Sequence, residues 1–139
     1  MILVDTNVIS ELMKSDRHRD VEDWLDDQAP RHLYASAISL AEIAYGVEKL
    51  PDGHRKSWLE TAMDRTFLDY FPGRILPFDE HAAKAYGRIN AGARATGRSI
   101  LMAEGQIAAI AFVRGFTVAT RDTAPFEAAG LPVINPWRL

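Results

Sequence analysis

Four carboxylates stand at positions where a sheet could gather them: Asp5, Glu42, Glu104 and Asp122. Asp5 follows the apolar run Ile2-Leu3-Val4, at the lip of a hydrophobic interior, and a carboxylate there needs hydrogen-bond donors or a cation. Asp122 comes just after Thr117-Val118-Ala119, separated from it by Thr120 and Arg121. In AEGQIAAIAFV the residues Glu104, Ile107, Ala108 and Ala111 share one helical stripe, so Glu104 is expected to begin a face that packs inward. The dipole at a helix start favours an acid by about 0.3–1 kcal/mol. Burying an unpaired charge costs more than that, so Glu104 calls for a buried partner. Two readings stay open for Glu42: a site acid, or the last member of a capping box, because Ser39-Leu40-Ala41-Glu42 matches S-x-x-E.

Carboxylates that converge raise one another's pKa values and repel. A divalent cation removes the repulsion, and Mg²⁺ or Mn²⁺ suits a site of carboxylate oxygens and water. Such an ion activates water and neutralises phosphate oxygens, which makes metal-assisted phosphodiester hydrolysis the expected chemistry. In this scheme Asp5 and Glu104 hold the principal ion and Asp122 and Glu42 complete the site. Arg98 and Arg121, flanking it, would steer and hold phosphate groups. The absence of cysteine excludes disulfides, thiolate zinc sites and a cysteine nucleophile, and the four histidines show no i, i+4 pair.

The elements that must position these residues are short strands between longer helices. Strands are expected at 2–4, 32–35, 74–76, 117–119 and 132–134. Helical periodicity predicts helices at about 7–13, 17–27, 38–49, 53–70, 79–96 and 103–113. Asp79 is an N-cap candidate for the fifth helix, and Gly97 and Gly115 are stops. Strands and helices in this alternation imply an α/β fold with a central, mostly parallel sheet covered by helices on both faces. In such sheets the site lies beyond the carboxyl ends of the strands, where strand order reverses. Asp5 and Asp122 share that edge, and Glu42, one turn into the helix after the second strand, can point back toward it.

Composition sets the outer limits. The 139 residues, 47% apolar and 25% charged, fit one soluble globular domain covering 1–139. No run approaches the ~20 apolar residues of a membrane-spanning helix, and the short opening ILV is not a signal peptide, so the expected location is the cytoplasm. A net charge of −3 argues against a generic nucleic-acid coat. The charge is uneven, however: 15–29 is acidic, whereas Lys84, Arg88, Arg94, Arg98, Arg114 and Arg121 face the single acid Glu104 between 84 and 121. Taken alone, a solvated helix face explains such a run.

The stretches MILVDTNVISEL, SAISLAEIAYGVEKL, AEGQIAAIAFVRGFTVATRD and LPVINPW together span nearly the whole chain. On them the sequence resembles the PIN-domain ribonucleases, and among these the VapC toxins of type II toxin–antitoxin pairs, in their FitB-like branch. The resemblance implies a PIN-like α/β sandwich and a Mg²⁺- or Mn²⁺-dependent endoribonuclease. It also implies a homodimer and a cognate VapB-type antitoxin that blocks the site and alone contacts operator DNA. An antitoxin segment laid in an apolar groove, and an inhibitory Arg or Lys placed among the acids, belong to the same expectation. Asp5, Glu42 and Asp122 take the places of the family's acids, with Thr120 and Thr6 as polar helpers and Asn7 supporting the loop. Glu104 stands where most members carry aspartate, one methylene shorter, and octahedral Mg²⁺ is strict about geometry.

Two rival readings are distinguishable. In one, the fold serves only as a catalytically weakened partner of a DNA-binding antitoxin. In the other, Asp5 is the nucleophile of a phosphohydrolase, chemistry that usually wants a second acid two residues on, where this chain has Asn7. Trp24, Trp58, Phe67, Tyr70 and Phe71 add more large apolar side chains than a small monomer easily hides, although core packing is the commoner use of each.

Overall fold

The computed structural model describes all residues from Met1 to Leu139. The elements run β1 (Ile2–Val4), α1 (Thr6–Leu12), α2 (Arg19–Asp26), a 3₁₀ turn (Pro30–His32), β2 (Leu33–Ser36), α3 (Ala37–Glu48), α4 (His54–Tyr70), β3 (Ile75–Leu76), α5 (Glu80–Ala95), α6 (Met102–Arg114), β4 (Thr117–Ala119), α7 (Ala124–Ala128) and β5 (Val133–Ile134). All five expected strands are present within a residue or two. The helix α7 was not foreseen, because five residues are too few to show a 3.6-residue period.

The sheet is wholly parallel, in the order β3-β2-β1-β4-β5. Strand order reverses at β1, whose Leu3 sits between Tyr34 of β2 and Val118 of β4. Side chains of a strand alternate between faces, and here successive residues feed two cores. Val4, Ala35 and Ala119 join Val8, Ile9, Trp24, Ile43 and Phe71 under α1–α4. Leu3 and Val118 join Ala85, Ile107, Ile110 and Phe126 under α5–α7. The molecule is thus a three-layer sandwich, and no helix is long and apolar enough to cross a membrane.

Most of the aromatic surplus expected from the sequence is core. Trp24, Phe67 and Phe71 are buried and Tyr70 is partly so; of the five, only Trp58 stands out, 51% exposed. On the opposite layer α6 lies close against α5. A Cβ on Gly105 would stand 2.8 Å from Asn90 Nδ2 and 2.9 Å from Tyr86 Cε2, so any side chain there would force Asn90 and Tyr86 to shift. That contact fixes the helix turn from which Glu104 projects.

Candidate active site

The carboxyl edge of the sheet brings the predicted residues together in unequal degree. Asp5, directly after β1, is 6% exposed and is the N-cap of α1, its Oδ1 accepting the Thr6 backbone N–H at 2.8 Å. Its Oδ2 accepts from the Thr120 hydroxyl, also at 2.8 Å. Thr120 is fully buried, directly after β4, the strand paired with β1. Its one proton goes to the carboxylate, because the competing Asp122 carbonyl is farther, at 3.3 Å. The Thr120 oxygen in turn accepts from the Asp122 N–H at 3.1 Å and Asn7 Nδ2 at 3.3 Å. Asn7 Oδ1 accepts the Arg121 N–H at 3.1 Å. The loops after β1 and β4 are therefore joined by side-chain bonds beyond the end of the ladder.

Glu42 is freed from the capping role. Ser36, not Ser39, is the N-cap of α3, its Oγ accepting the Ser39 N–H at 3.0 Å, which leaves Glu42 in the second turn. There Glu42 Oε1 accepts from Thr6 Oγ1 at 2.7 Å. The Thr6 hydroxyl lies 2.8 Å from Ser39 Oγ, which accepts from Ser36 Oγ at 3.3 Å. An ionised carboxylate only accepts, so the protons run in one direction, from Ser36 to Ser39 to Thr6 to Glu42. Ser36 and Ser39 are fully buried, and the chain of hydroxyls orients Glu42 from within the protein.

Glu104 departs from the inward burial expected of it. It occupies the first turn of α6 and is half-buried, while Ile107, Ala108 and Ala111 of the same stripe are in the core. Its carboxylate borders solvent and has no ion-pair partner. A cleft of about 400 Å³ is lined by Asp5, Thr6, Asn7, Glu42, Glu104 and Arg121, among others. Asp122 lines an adjoining opening with Arg98, and Glu104 belongs to the rims of both. Arg98 and Arg121 thus flank the acids in different openings rather than sharing one pocket.

None of the protein's five ion pairs includes any of these four acids, although one of them, Lys14–Glu11, lines the same cleft. The electrostatic result is strain on protonation states. Burial pushes the Asp5 carboxyl above its ordinary value; the bonds from Thr120 and Thr6 pull it back, and the charges of Glu42 and Asp122 push it up again. Glu104 is raised by loss of solvent, then by Asp122, against the lowering effect of the Leu101 N–H, with Asp5 and Glu42 adding to the rise. No three of the acids lie close enough to close a metal-holding group by themselves. Their donor set, carboxylate oxygens with an open face to water, fits a hard cation that keeps part of its hydration shell.

Three participants escaped the sequence reading. Ser39 looked like a cap and is instead a link in the hydroxyl chain. Glu11 is buried, accepts from Lys14 Nζ at 3.2 Å and the His18 N–H at 3.3 Å, and lines the cleft with Ser10 and Lys14. Its signal was available, because Asn7, Ser10, Glu11 and Lys14 follow i, i+3, i+4, i+7 on one helix face. Trp137 also lines the cleft, its ring centroid 5.2 Å from the Arg121 guanidinium. No spacing in the sequence indicates it.

The PIN-domain family profile matches residues 2–131. The chain belongs to the PIN-domain family. The VapC ribonuclease Y4jK of Sinorhizobium fredii is 47% identical over 137 residues, covering 99% of this chain and 98% of that protein. The crystal structure of FitAcB from Neisseria gonorrhoeae matches this PIN domain with a TM-score of 0.92 at 45% identity, over 100% of both chains. A structure of FitAB bound to an IR36 DNA fragment matches it with a TM-score of 0.92 at 46% identity, over 100% of this chain and 97% of that one. Within the PIN family, this chain therefore groups with the VapC and FitB proteins.

Proposed function

We propose that this PIN domain is the toxin of a type II toxin–antitoxin pair and acts in the cytoplasm as a Mg²⁺- or Mn²⁺-dependent endoribonuclease. The observation that carries the reading is the unpaired acid group at the strand-order reversal. Asp5 is braced there by Thr120 and Thr6, and Glu42 by Thr6, and neither acid forms an ion pair with the protein's own cations. Asp5, Glu104, Asp122 and Glu42 would hold the ion. When bound it neutralises phosphate charge and lowers the pKa of water for attack on the phosphodiester.

The chain's own residues supply the rest. Thr120 and Thr6 fix the Asp5 oxygens, so the carboxylate needs no reorganisation to meet positive charge. Glu42, set by the hydroxyl chain, offers its remaining lone pairs toward the cleft as a proton acceptor for water. Arg121 and Arg98 approach from two sides and can hold phosphate oxygens of the strand. Cleavage of cellular RNA with Mg²⁺ or Mn²⁺, by wild type and Asp5→Asn, tests the assignment. Equal activity in the two proteins would remove Asp5 from the mechanism.

The solved relatives named above are FitAB complexes, which supports a cognate antitoxin as partner and contact with DNA through it. A groove between α1, α3 and α4, lined by Met13, Ile43, Val47, Trp58 and Leu59, opens beside Thr6, Ser10 and Glu42. It suits an amphipathic antitoxin segment whose Arg or Lys reaches the acids. Homodimerisation belongs to the same reading. An inert antitoxin partner is the second reading, favoured by the open spacing of the acids; growth arrest on expression without antitoxin would exclude it. A nucleophilic Asp5 finds no support, because Asn7, where a second acid would act, is engaged with Thr120 and the Arg121 backbone.

A further inference from the structure

A second, cationic opening adjoins the acid cleft. It measures about 410 Å³ and is lined by His18, Arg121, Thr123, Asn135, Trp137 and Arg138. Arg121 and Trp137 line both openings, so the two adjoin at one pair of side chains. Neither guanidinium, nor the imidazole of His18, forms an ion pair, although the protein carries a net charge of −3. The segment after β5 is held in place to build this wall. Asn135 accepts the Trp137 N–H at 3.0 Å and donates to the Arg121 carbonyl at 3.4 Å, and its own carbonyl accepts the Arg138 N–H at 3.0 Å. Trp137 then supports the Arg121 guanidinium from its ring face.

We infer that this opening is a phosphate subsite for single-stranded RNA, in which Arg121 and Arg138, with His18 and Thr123 beside them, hold a backbone phosphate outside the scissile position. The inference rests on the ribonuclease reading of the neighbouring acids. A cleft walled by carboxylates repels a polyanion, so the strand must be held by cations close by, and this opening, lined by cations and by no acid, shares Arg121 and Trp137 with the acid cleft. Trp137 is a positioning residue here, acting through Arg121. An acidic peptide could meet the same charges, but the position beside the acid cleft favours the nucleic acid strand.

The test measures binding of a labelled single-stranded 2′-O-methyl RNA in Mg²⁺ by fluorescence anisotropy across a salt series, next to cleavage of unmodified RNA. Arg138→Ala should weaken binding about tenfold and flatten the slope of log Kd against log salt by about 0.7, the loss of one phosphate contact. Trp137→Ala should do the same through Arg121, and Trp137→Phe should restore most of it. Arg31→Ala, which removes an exposed cation before β2 at the opposite edge of the sheet, should change neither. Wild type that cleaves RNA while Arg138→Ala keeps both affinity and slope would overturn the subsite and leave the ribonuclease intact. Wild type that neither binds nor cleaves RNA would overturn both. Loss of antitoxin affinity in Arg138→Ala, with RNA binding unchanged, would assign the opening to a peptide and overturn the RNA subsite.

Discussion

Thr120 gives its hydroxyl proton to Asp5 across 2.8 Å and 115 residues of sequence. The bond joins the ends of two adjacent parallel strands and sits where burial is complete at Thr120 and nearly so at Asp5. Replacement of Thr120 by the similarly shaped valine leaves a buried carboxylate oxygen without its donor. Stability should fall by about 1–3 kcal/mol, read as a shifted urea midpoint, with Thr120→Ser recovering most of it. RNA cleavage should fall at least tenfold in Thr120→Val. A valine variant as stable as wild type would mean that the bond contributes nothing to holding Asp5.

Ser36 and Ser39 have separable duties. Ser36→Ala removes the cap of α3 and should cost about 1 kcal/mol. Ser39→Ala keeps the cap, because only its backbone N–H is used there, but breaks the hydroxyl chain to Glu42. It should lower kcat several-fold with a smaller stability change than Ser36→Ala. Denaturation and steady-state RNA cleavage of the two variants distinguish the roles; the reverse order of effects would restore the capping-box reading.

Gly105→Ala places a methyl within 2.8 Å of Asn90 Nδ2 and 2.9 Å of the Tyr86 ring. Overpacking of this kind costs about 1–3 kcal/mol. Because the clash pushes the start of α6 from α5, it should also weaken Mg²⁺ binding through Glu104, measured by calorimetry. Asn90→Ala in the same chain should relieve part of the stability loss.

The raised carboxyls of Asp5 and Glu104 make a signed prediction for pH. The folded state holds these protons more tightly than the unfolded chain, whose ordinary values are 3.8 and 4.5. Stability from these two groups is therefore highest below that range and falls as pH rises through the raised folded values. In EDTA, Asp5→Asn should melt above wild type at pH 7, with the gap narrowing toward pH 4. Mg²⁺ should raise the wild-type Tm at pH 7 and do little for Asp5→Asn. A gap that is absent at pH 7, or that widens on acidification, would contradict the origin assigned to the shift.

The strands were legible because each is an apolar run between longer helical stretches, and a run such as Ile2-Leu3-Val4 has both faces to bury. The position of Asp5 and Asp122 at one edge followed from the strands alone. Glu42 was ambiguous because S-x-x-E fits two registers of the same helix start, and only the backbone of Ser36 decides between them. The inward stripe of Glu104 holds for Ile107 and Ala111, whereas Glu104 itself, in the first turn of α6, stays half-buried at the cleft. Trp137 was beyond reach, because its contact with Arg121 depends on how the segment after β5 folds back, and no period encodes that.

The order in which the site's parts occur along the chain sets when it can exist. Asp5 precedes by 115 residues one of its two braces, Thr120, which follows the strand Thr117–Ala119. β1 must wait for β4 before it has a neighbour on that side. During synthesis the emerging chain therefore carries Asp5 with only its Thr6 brace until Thr120 has been translated, and the acid group is completed only after β4.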